Sequence, residues 1–192
     1  AVSPDRPKIL VIDDDPDNVI LFRLRLEDAG FEVKSAEAGA LAFEEMESFT
    51  PDAILLDRVM PEMSGIEVAE RLRSDPERSS IPILMVTGRF TNQEILEGFH
   101  AGVLDYVAKP IDWDILLARL RTHVRLRRIQ MKEKRAIERL EKELEVARNL
   151  QEQQLPKKNL LKNLPDSYGI EMAYCWRPSR HLGGDFWDLL SL

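Results

Sequence analysis

Short apolar runs alternate with amphipathic stretches over most of the chain. The runs that predict strands are residues 8–12, 31–36, 53–57, 81–86 and 103–108. Most are nearly continuous in apolar residues, which is typical of strands buried on both faces of a parallel sheet, whereas 31–36 has the polar residues of an edge strand. Strands alternating with helices predict an α/β fold with a five-stranded, doubly wound parallel sheet.

Capping residues mark the helices between these strands. Asp15 followed by Pro16 predicts a helix start, and Gly30 predicts its end. Apolar residues within 41–49 and 64–75 predict the second and third helices. Thr91 is the predicted N-cap of the fourth helix, which runs towards Gly102.

Carboxylates stand at the ends of two of the apolar runs. Asp57 ends the third run, and Asp13 and Asp14 follow the first. Ligands of open α/β sheets bind outside the carboxyl ends of the strands, so neighbouring strands would bring the three carboxylates together. Their repulsion and their oxygen atoms favour a hard cation such as Mg²⁺. Alternatively residues 13–15 only cap the next helix; both interpretations hold if Asp15 caps while Asp13 and Asp14 face the cleft.

Two more strand ends supply a hydroxyl group and an ammonium group. Thr87 follows the fourth run, and Lys109-Pro110 follows the fifth. A phosphoryl group on an aspartate needs such partners, because the ammonium group neutralises its charge and the hydroxyl donates a hydrogen bond. These residues together predict phosphoryl chemistry on Asp57.

The stretch 8–123 resembles the receiver domain of two-component response regulators. The residues that match are Asp13-Asp14, Asp57 followed by Met60-Pro61 and Gly65, Thr87, and Lys109-Pro110. The resemblance implies that Asp57 accepts a phosphoryl group from a sensor histidine kinase or a phosphotransfer protein. It also implies that Mg²⁺ is held by Asp13, Asp14, Asp57 and the backbone carbonyl of Val59.

The resemblance also assigns roles around the acceptor. Thr87 and Tyr106 would form a switch pair that turns inward with the phosphoryl group, and Lys109 would pair with its oxygens. The peptide bond before Pro110 would be cis. In related receivers the residues at Val59 and Arg89 influence hydrolysis, and Val59 cannot position a water molecule, so we expect slow self-dephosphorylation.

Composition narrows the class of protein. Of the 192 residues, 44% are apolar and 32% charged, as in a globular domain with an appendage, and the net charge of −7 argues against nonspecific nucleic-acid binding. No signal peptide or membrane span is expected. One cysteine, Cys175, fits a reducing compartment, so we expect a cytoplasmic protein.

A long helical linker is predicted after the receiver. Residues 112–155 contain neither Pro nor Gly, and Ile137, Leu140, Leu144 and Ala147 follow heptad spacing that Gln151 and Gln154 extend. This pattern predicts a coiled coil and a homodimer. The stretch 121–135 is basic without a clean apolar seam; without a DNA-binding motif around it, we expect a solvated face.

The tail from Pro156 resembles the opening of the PPM family of metal-dependent Ser/Thr phosphatases, in the branch that controls bacterial stress factors. The matching residues are Leu155-Pro156, 174–178 and 183–188, with Trp187 in place of the usual Tyr. The resemblance implies that Asp185, supported by Asp188, ligates Mn²⁺ or Mg²⁺. A phosphatase of this family needs further Asp ligands, and none follows before Leu192. We therefore expect a truncated form of the protein that carries out only the phosphorylation chemistry of the receiver.

The predicted organisation is a tail at 1–7, a receiver at 8–123, a coiled-coil linker at 124–155 and the start of an output domain at 156–192. The parent protein would dephosphorylate Ser or Thr of a partner such as an anti-sigma-factor antagonist. Gly183-Gly184-Asp185 also begins a diguanylate cyclase signature, but Phe186-Trp187 replaces its Glu-Phe. A third alternative is a non-enzymatic, phosphorylation-dependent adaptor.

Overall fold

A computed structural model describes residues 6–88 and 91–154. Five parallel strands form one sheet in the order β2-β1-β3-β4-β5, which is the flavodoxin-like order of doubly wound folds. The predicted fold class is therefore confirmed, with the predicted edge strand at the edge. The strands are β1 Lys8–Ile12, β2 Glu32–Ala36, β3 Ala53–Asp57, β4 Ile83–Thr87 and β5 Asp105–Ala108.

The helices begin at the predicted caps. Asp15 accepts a hydrogen bond from the Asp17 N–H at 2.9 Å, and Pro16 opens the first helix. Ser64 and Thr91 each form a capping box with the glutamate three residues on. The helices are α1 Pro16–Asp28, α2 Gly39–Ser48, α3 Gly65–Ser74, α4 Asn92–His100 and α5 Trp113–Gln154.

Two strands begin two residues later than predicted, for local reasons. Pro82 has no N–H to donate to the sheet, and β4 starts at Ile83. The Val103 N–H donates to the Gly98 carbonyl at 2.8 Å, closing the end of α4 before β5 begins at Asp105.

The sheet separates two apolar layers because successive side chains of a strand point to opposite faces. On β3, Ile54 and Leu56 pack with α2 and α3, whereas Ala53 and Leu55 pack with α1 and the first part of α5. This burial of both faces explains the nearly continuous apolar runs, and it leaves the strand ends as the places for polar groups.

The chain divides into two units, with the boundary after Met131. In the first, α5 packs through Leu116, Leu120 and Val124. The predicted solvated basic face is wrong for Arg127, which is 5% exposed and donates to Ser80 Oγ at 3.0 Å. Arg128 donates to Asp52 Oδ2 at 3.0 Å, so the arginines anchor this part of the helix.

In the second unit, the described residues of α5 leave Ile137 and Leu140 exposed, each by more than half. Helix α5 is continuous to Gln154, and its role as a linker stays a prediction. Arg89, Cys175, Asp185 and Asp188 lie outside the described residues, as does the rest of the tail from Leu155. Neither described range contains a helix with the length and apolarity that a membrane span requires.

Candidate functional site

Asp57 lies at the carboxyl end of β3, next to the point where the strand order reverses. β1 and β3 pair in parallel with Ile12 opposite Leu56, so Asp13, which follows β1, lies beside Asp57, the last residue of β3. Both are buried, at 2% and 7% exposure. This is the position at which doubly wound sheets bind ligands, and the structure brings the two predicted carboxylates together there.

Lys109 joins the two carboxylates. It follows β5, and its Nζ lies 2.5 Å from Asp57 Oδ1 and 3.3 Å from Asp13 Oδ2. Its backbone N–H donates to the Thr87 carbonyl at 2.8 Å, and the Lys109–Pro110 peptide bond is cis, as predicted. Three strand ends therefore meet at one charged cluster.

Local hydrogen bonds fix both acids. The second oxygen of Asp57, Oδ2, accepts from the Val59 N–H at 2.8 Å. Asp13 accepts from the Asn18 amide group at 3.2 Å and from the Asp15 N–H at 3.0 Å. Sequence reasoning missed Asn18; its place in the first turn of the helix that follows the acidic run was the available signal.

The electrostatics of the cluster set its protonation. Burial raises the pKa of Asp57 above its ordinary value, although the hydrogen bonds from Lys109 and Val59 oppose that rise. Burial alone would lower the pKa of Lys109, but the bonds and charges of Asp57 and Asp13 outweigh it, so the net change is upward. Lys109 therefore stays charged, while Asp57 is protonated more readily than an exposed aspartate.

The cluster has an oxygen donor set suited to a hard cation. Two buried carboxylates face one ammonium group, which leaves an excess of negative charge, and Asp14 is exposed beside them. Within 6–88 and 91–154, no three acidic, His or Cys side chains are gathered as a metal site. Asp13 and Asp57 fit Mg²⁺ by charge and donor type; the ligand roles of Asp14 and the Val59 carbonyl stay predictions.

The predicted switch residues lie on neighbouring strands. Thr87 ends β4 and is buried at 5% exposure. Tyr106 of β5 packs edge-on against Phe99, with ring centroids 5.5 Å apart. Its hydroxyl donates towards the carbonyl of Ile95 at 3.3 Å, and burial raises its pKa, so it remains a donor. Tyr106 thus already contacts α4 in this structure.

Two neighbours of the site were not predicted from the sequence. Arg58, next to the acceptor, turns its guanidinium group towards α4. Gly98 leaves the space on α4 that the Tyr106 hydroxyl occupies, since a Cβ there would overlap that oxygen. An arginine directly after an apolar strand and a glycine inside a short helix were the only sequence signals.

The chain belongs to the response regulator receiver domain family, whose family model matches residues 9–121. This chain therefore contains the receiver domain of a two-component response regulator, a class of domain that interacts with histidine kinases or phosphotransfer proteins and generally binds Mg²⁺.

Known proteins are similar over the same region. The DNA-binding dual master transcriptional regulator RpaA of Synechocystis is 40% identical over 119 residues, covering 62% of this chain and 49% of that protein. A Vibrio cholerae relative described as "Probable cyclic di-GMP phosphodiesterase" is 37% identical over 120 residues, covering 62% of this chain and 27% of the relative. The chain thus matches a quarter to a half of the length of these relatives.

A solved structure supports the same fold. The chemotaxis protein CheY4 of Vibrio cholerae matches with a TM-score of 0.59 and 30% identity, covering 61% of this chain and 98% of that one.

Proposed function

We propose that Asp57 is the phospho-acceptor of this receiver. The observation that carries the proposal is the buried cluster in which Lys109 Nζ lies 2.5 Å from Asp57 and 3.3 Å from Asp13. A carboxylate oxygen of Asp57 attacks the phosphorus of a phosphohistidine, forming a P–O bond. The P–N bond breaks, and its electron pair leaves with the donor imidazole.

The surrounding residues hold the acceptor and offset charge. Lys109 pairs with the phosphoryl oxygens, and Thr87 donates its hydroxyl hydrogen to one of them. Asn18 keeps Asp13 in place. When bound, Mg²⁺ would be held by Asp13, Asp14, Asp57 and the Val59 carbonyl, and would supply positive charge beside the phosphoryl oxygens.

The test is phosphorylation of the chain by acetyl phosphate with Mg²⁺, followed by intact mass. We expect one added phosphoryl group in the native chain and none in Asp57→Ala. The exposed Asp28→Ala is the matched control and should be labelled normally. Label that persists in Asp57→Ala would overturn the assignment.

Slow self-dephosphorylation follows from the same site. Val59 is 75% exposed beside the acceptor and has no group that can orient a water molecule. Val59→Asn should shorten the lifetime of the phosphorylated form; an unchanged lifetime would contradict this role.

The helix α5 is proposed to carry the signal through a homodimer. Ile137 and Leu140 are exposed apolar residues at predicted seam positions, which is what a two-chain coiled coil requires. Light scattering with Mg²⁺ and beryllofluoride should show a dimer that Leu140→Glu prevents and Lys142→Ala leaves intact. A native chain that stays monomeric with beryllofluoride would remove the coiled coil from the mechanism.

The output is proposed to be a PPM-type Ser/Thr phosphatase. The support is the sequence 183–188, in which Asp185 and Asp188 would help to hold Mn²⁺ or Mg²⁺. An anti-sigma-factor antagonist phosphorylated on Ser or Thr is the proposed substrate. Asp185→Asn in the full-length protein should abolish phosphate release from a phosphoserine peptide; unaltered release would contradict the assignment.

A second candidate output is cyclic di-GMP turnover. It is favoured by the Vibrio cholerae relative, which matches this chain over 120 residues. Assaying the full-length protein for consumption of GTP or of cyclic di-GMP separates this candidate from the phosphatase.

A further inference from the structure

Helix α4 is held on the receiver with little apolar burial of its own. Gly98 is its only buried residue among 92–100. Leu96 and Phe99 are exposed by about half. Apolar contacts alone therefore fix this helix weakly, and the polar contacts that it makes gain importance.

Arg58 supplies two of these contacts. Its Nη2 lies 3.1 Å from Glu94 Oε1 and 3.3 Å from Glu97 Oε2. One guanidinium group therefore forms ion pairs with two acids on one face of α4, an arrangement called the clamp below. The Arg58 side chain is only 14% exposed, and its Nη1 is buried with no hydrogen-bond partner among the described residues. A cation buried to this degree is costly to leave without its acids.

The backbone of Arg58, the residue directly after β3, is held by the neighbouring strand β4 and by the start of α3. Its N–H donates to the Val86 carbonyl at 3.2 Å, and its carbonyl accepts from the Gly65 N–H at 2.9 Å. Asp57 contacts Lys109, whereas the Arg58 side chain reaches Glu94 and Glu97 of α4. Arg58 therefore links the acceptor position to α4.

Tyr106 contacts the same part of α4. Its hydroxyl lies 3.4 Å from the Glu94 carbonyl and 3.3 Å from the Ile95 carbonyl, in the space left by Gly98. The charged groups that act on it are Arg58, Glu97 and Glu94. A shift of α4 would break the contacts of Arg58 and Tyr106 together.

We propose that Arg58 is a positioning residue of the phosphorylation switch: its clamp on Glu94 and Glu97 holds α4 where Tyr106 can occupy the Gly98 space. The proposal rests on the proposed role of Asp57. Because coupling between two sites is reciprocal, a modification of Asp57 that favours Tyr106 in the Gly98 space also favours the clamp, and loss of the clamp weakens the response of α4.

The first test measures amide hydrogen exchange along the unmodified chain. Arg58→Ala should speed exchange in α4 between about twofold and tenfold, the range between exposed and half-buried ion pairs, while α3 exchanges as before. Arg58→Lys should restore part of the protection. Arg78→Ala, which breaks a 2.6 Å ion pair with Glu47 elsewhere, is the matched control and should leave α4 unchanged.

A double-mutant cycle isolates the clamp. Glu97→Gln removes one of its acids and spares the capping box of Glu94. Arg58→Ala combined with Glu97→Gln should change exchange in α4 by less than the product of the single effects. Unchanged exchange in Arg58→Ala, or effects that simply multiply, would overturn the clamp.

The titration of Tyr106 separates positioning from a simple charge effect. If Tyr106 stayed in place in Arg58→Ala, loss of the nearby positive charge would raise the pKa of Tyr106 further. If it leaves the Gly98 space, the loss of burial returns the pKa towards its ordinary value. We expect the pKa of Tyr106 to fall in Arg58→Ala, as followed by spectra of labelled tyrosine. A rise of this pKa would contradict positioning.

The last measurement keeps this proposal distinct from the role of Asp57. With Mg²⁺ and beryllofluoride, fluorine spectra report binding at the acceptor, and hydrogen exchange reports α4. In Arg58→Ala we expect bound fluoride signals with α4 less protected than in the native chain. Equal protection would overturn the role of Arg58. Absence of bound fluoride in the native chain would contradict the acceptor instead, and the exchange tests above would still decide the clamp.

Discussion

Helices α3 and α4 begin alike and are held differently. Each starts with a capping box, Ser64 with Glu67 in α3 and Thr91 with Glu94 in α4. Yet α3 buries Gly65, Val68, Ala69 and Leu72, whereas α4 buries only Gly98. The difference shows how one domain combines a fixed helix with one that depends on a few polar and aromatic contacts, the kind that moves in switching.

The largest expected contrast comes from matched leucine substitutions. Leu72→Ala should lower the free energy of unfolding by about 2–5 kcal/mol, because the fully buried side chain leaves a cavity. Leu96→Ala, at 58% exposure, should change it by less than about 0.5 kcal/mol. Urea unfolding followed by circular dichroism measures both, and equal losses would show that α4 is packed as firmly as α3.

Glycine substitutions sharpen the comparison next. A Cβ at Gly65 would overlap the Asp57 carbonyl oxygen, a backbone atom held within the sheet, so Gly65→Ala should cost about 1–3 kcal/mol. A Cβ at Gly98 meets the Tyr106 hydroxyl, the end of a side chain that can rotate away. Gly98→Ala should therefore stay within about 1 kcal/mol of the native stability, since alanine favours the helix.

The readout for Gly98→Ala is the position of Tyr106. Labelled tyrosine spectra should show its ring leaving the contact with Phe99. A large loss of stability with Tyr106 still in place would show that α4 cannot adjust.

Much of the central sheet and of the carboxylate cluster at its edge was predictable from sequence. The apolar run ending at Asp57 predicted a buried strand with a functional carboxylate at its end, and the structure places Asp13 and Lys109 beside it. Burial on both faces leaves a strong periodic signal, and strand ends in a parallel sheet must meet at one edge. The position of β3 within the fold therefore followed from local pattern.

The contacts that hold α4 on the domain were not predictable in the same way. Its pattern and its cap predicted a helix, but the depth of burial depends on what the neighbouring sheet edge offers. The partners of Arg58 lie 36 and 39 residues away along the chain, and no local pattern pairs them. Asn18 was missed for a related reason, because an amide in a helix also fits an exposed surface.

Removing the caps should have a smaller effect. Ser64→Ala and Thr91→Ala each delete the side-chain acceptor of a capping box, which costs about 1 kcal/mol. The same loss should appear differently in hydrogen exchange: the first turn of α4 should open locally, while α3 stays protected by its buried face. Equal local opening of the two helices would contradict the conclusion that α3 is held more firmly than α4.

The smallest contrast is expected on acidification. The pKa of Glu94 lies below its ordinary value because of the hydrogen bonds from the Thr91 backbone and hydroxyl, with a further contribution from Arg58; the pKa of Glu67 is lowered by its bonds with Ser64. A lowered acid pKa gives stability that is present above the ordinary value of 4.5 and is lost as the pH falls through the folded value. Both capping boxes therefore weaken in the same window.

Helix α4 should respond first in that window, because protonating Glu94 also removes an acid from Arg58. Hydrogen exchange, corrected for its intrinsic pH dependence, should show α4 opening below pH 4.5 before α3 does. Glu94→Gln should remove most of that pH dependence, whereas Glu67→Gln should leave the response of α4 unchanged. If α3 and α4 open together, the polar clamp is not what distinguishes them, and the weak holding of α4 must come from its shallow apolar face alone.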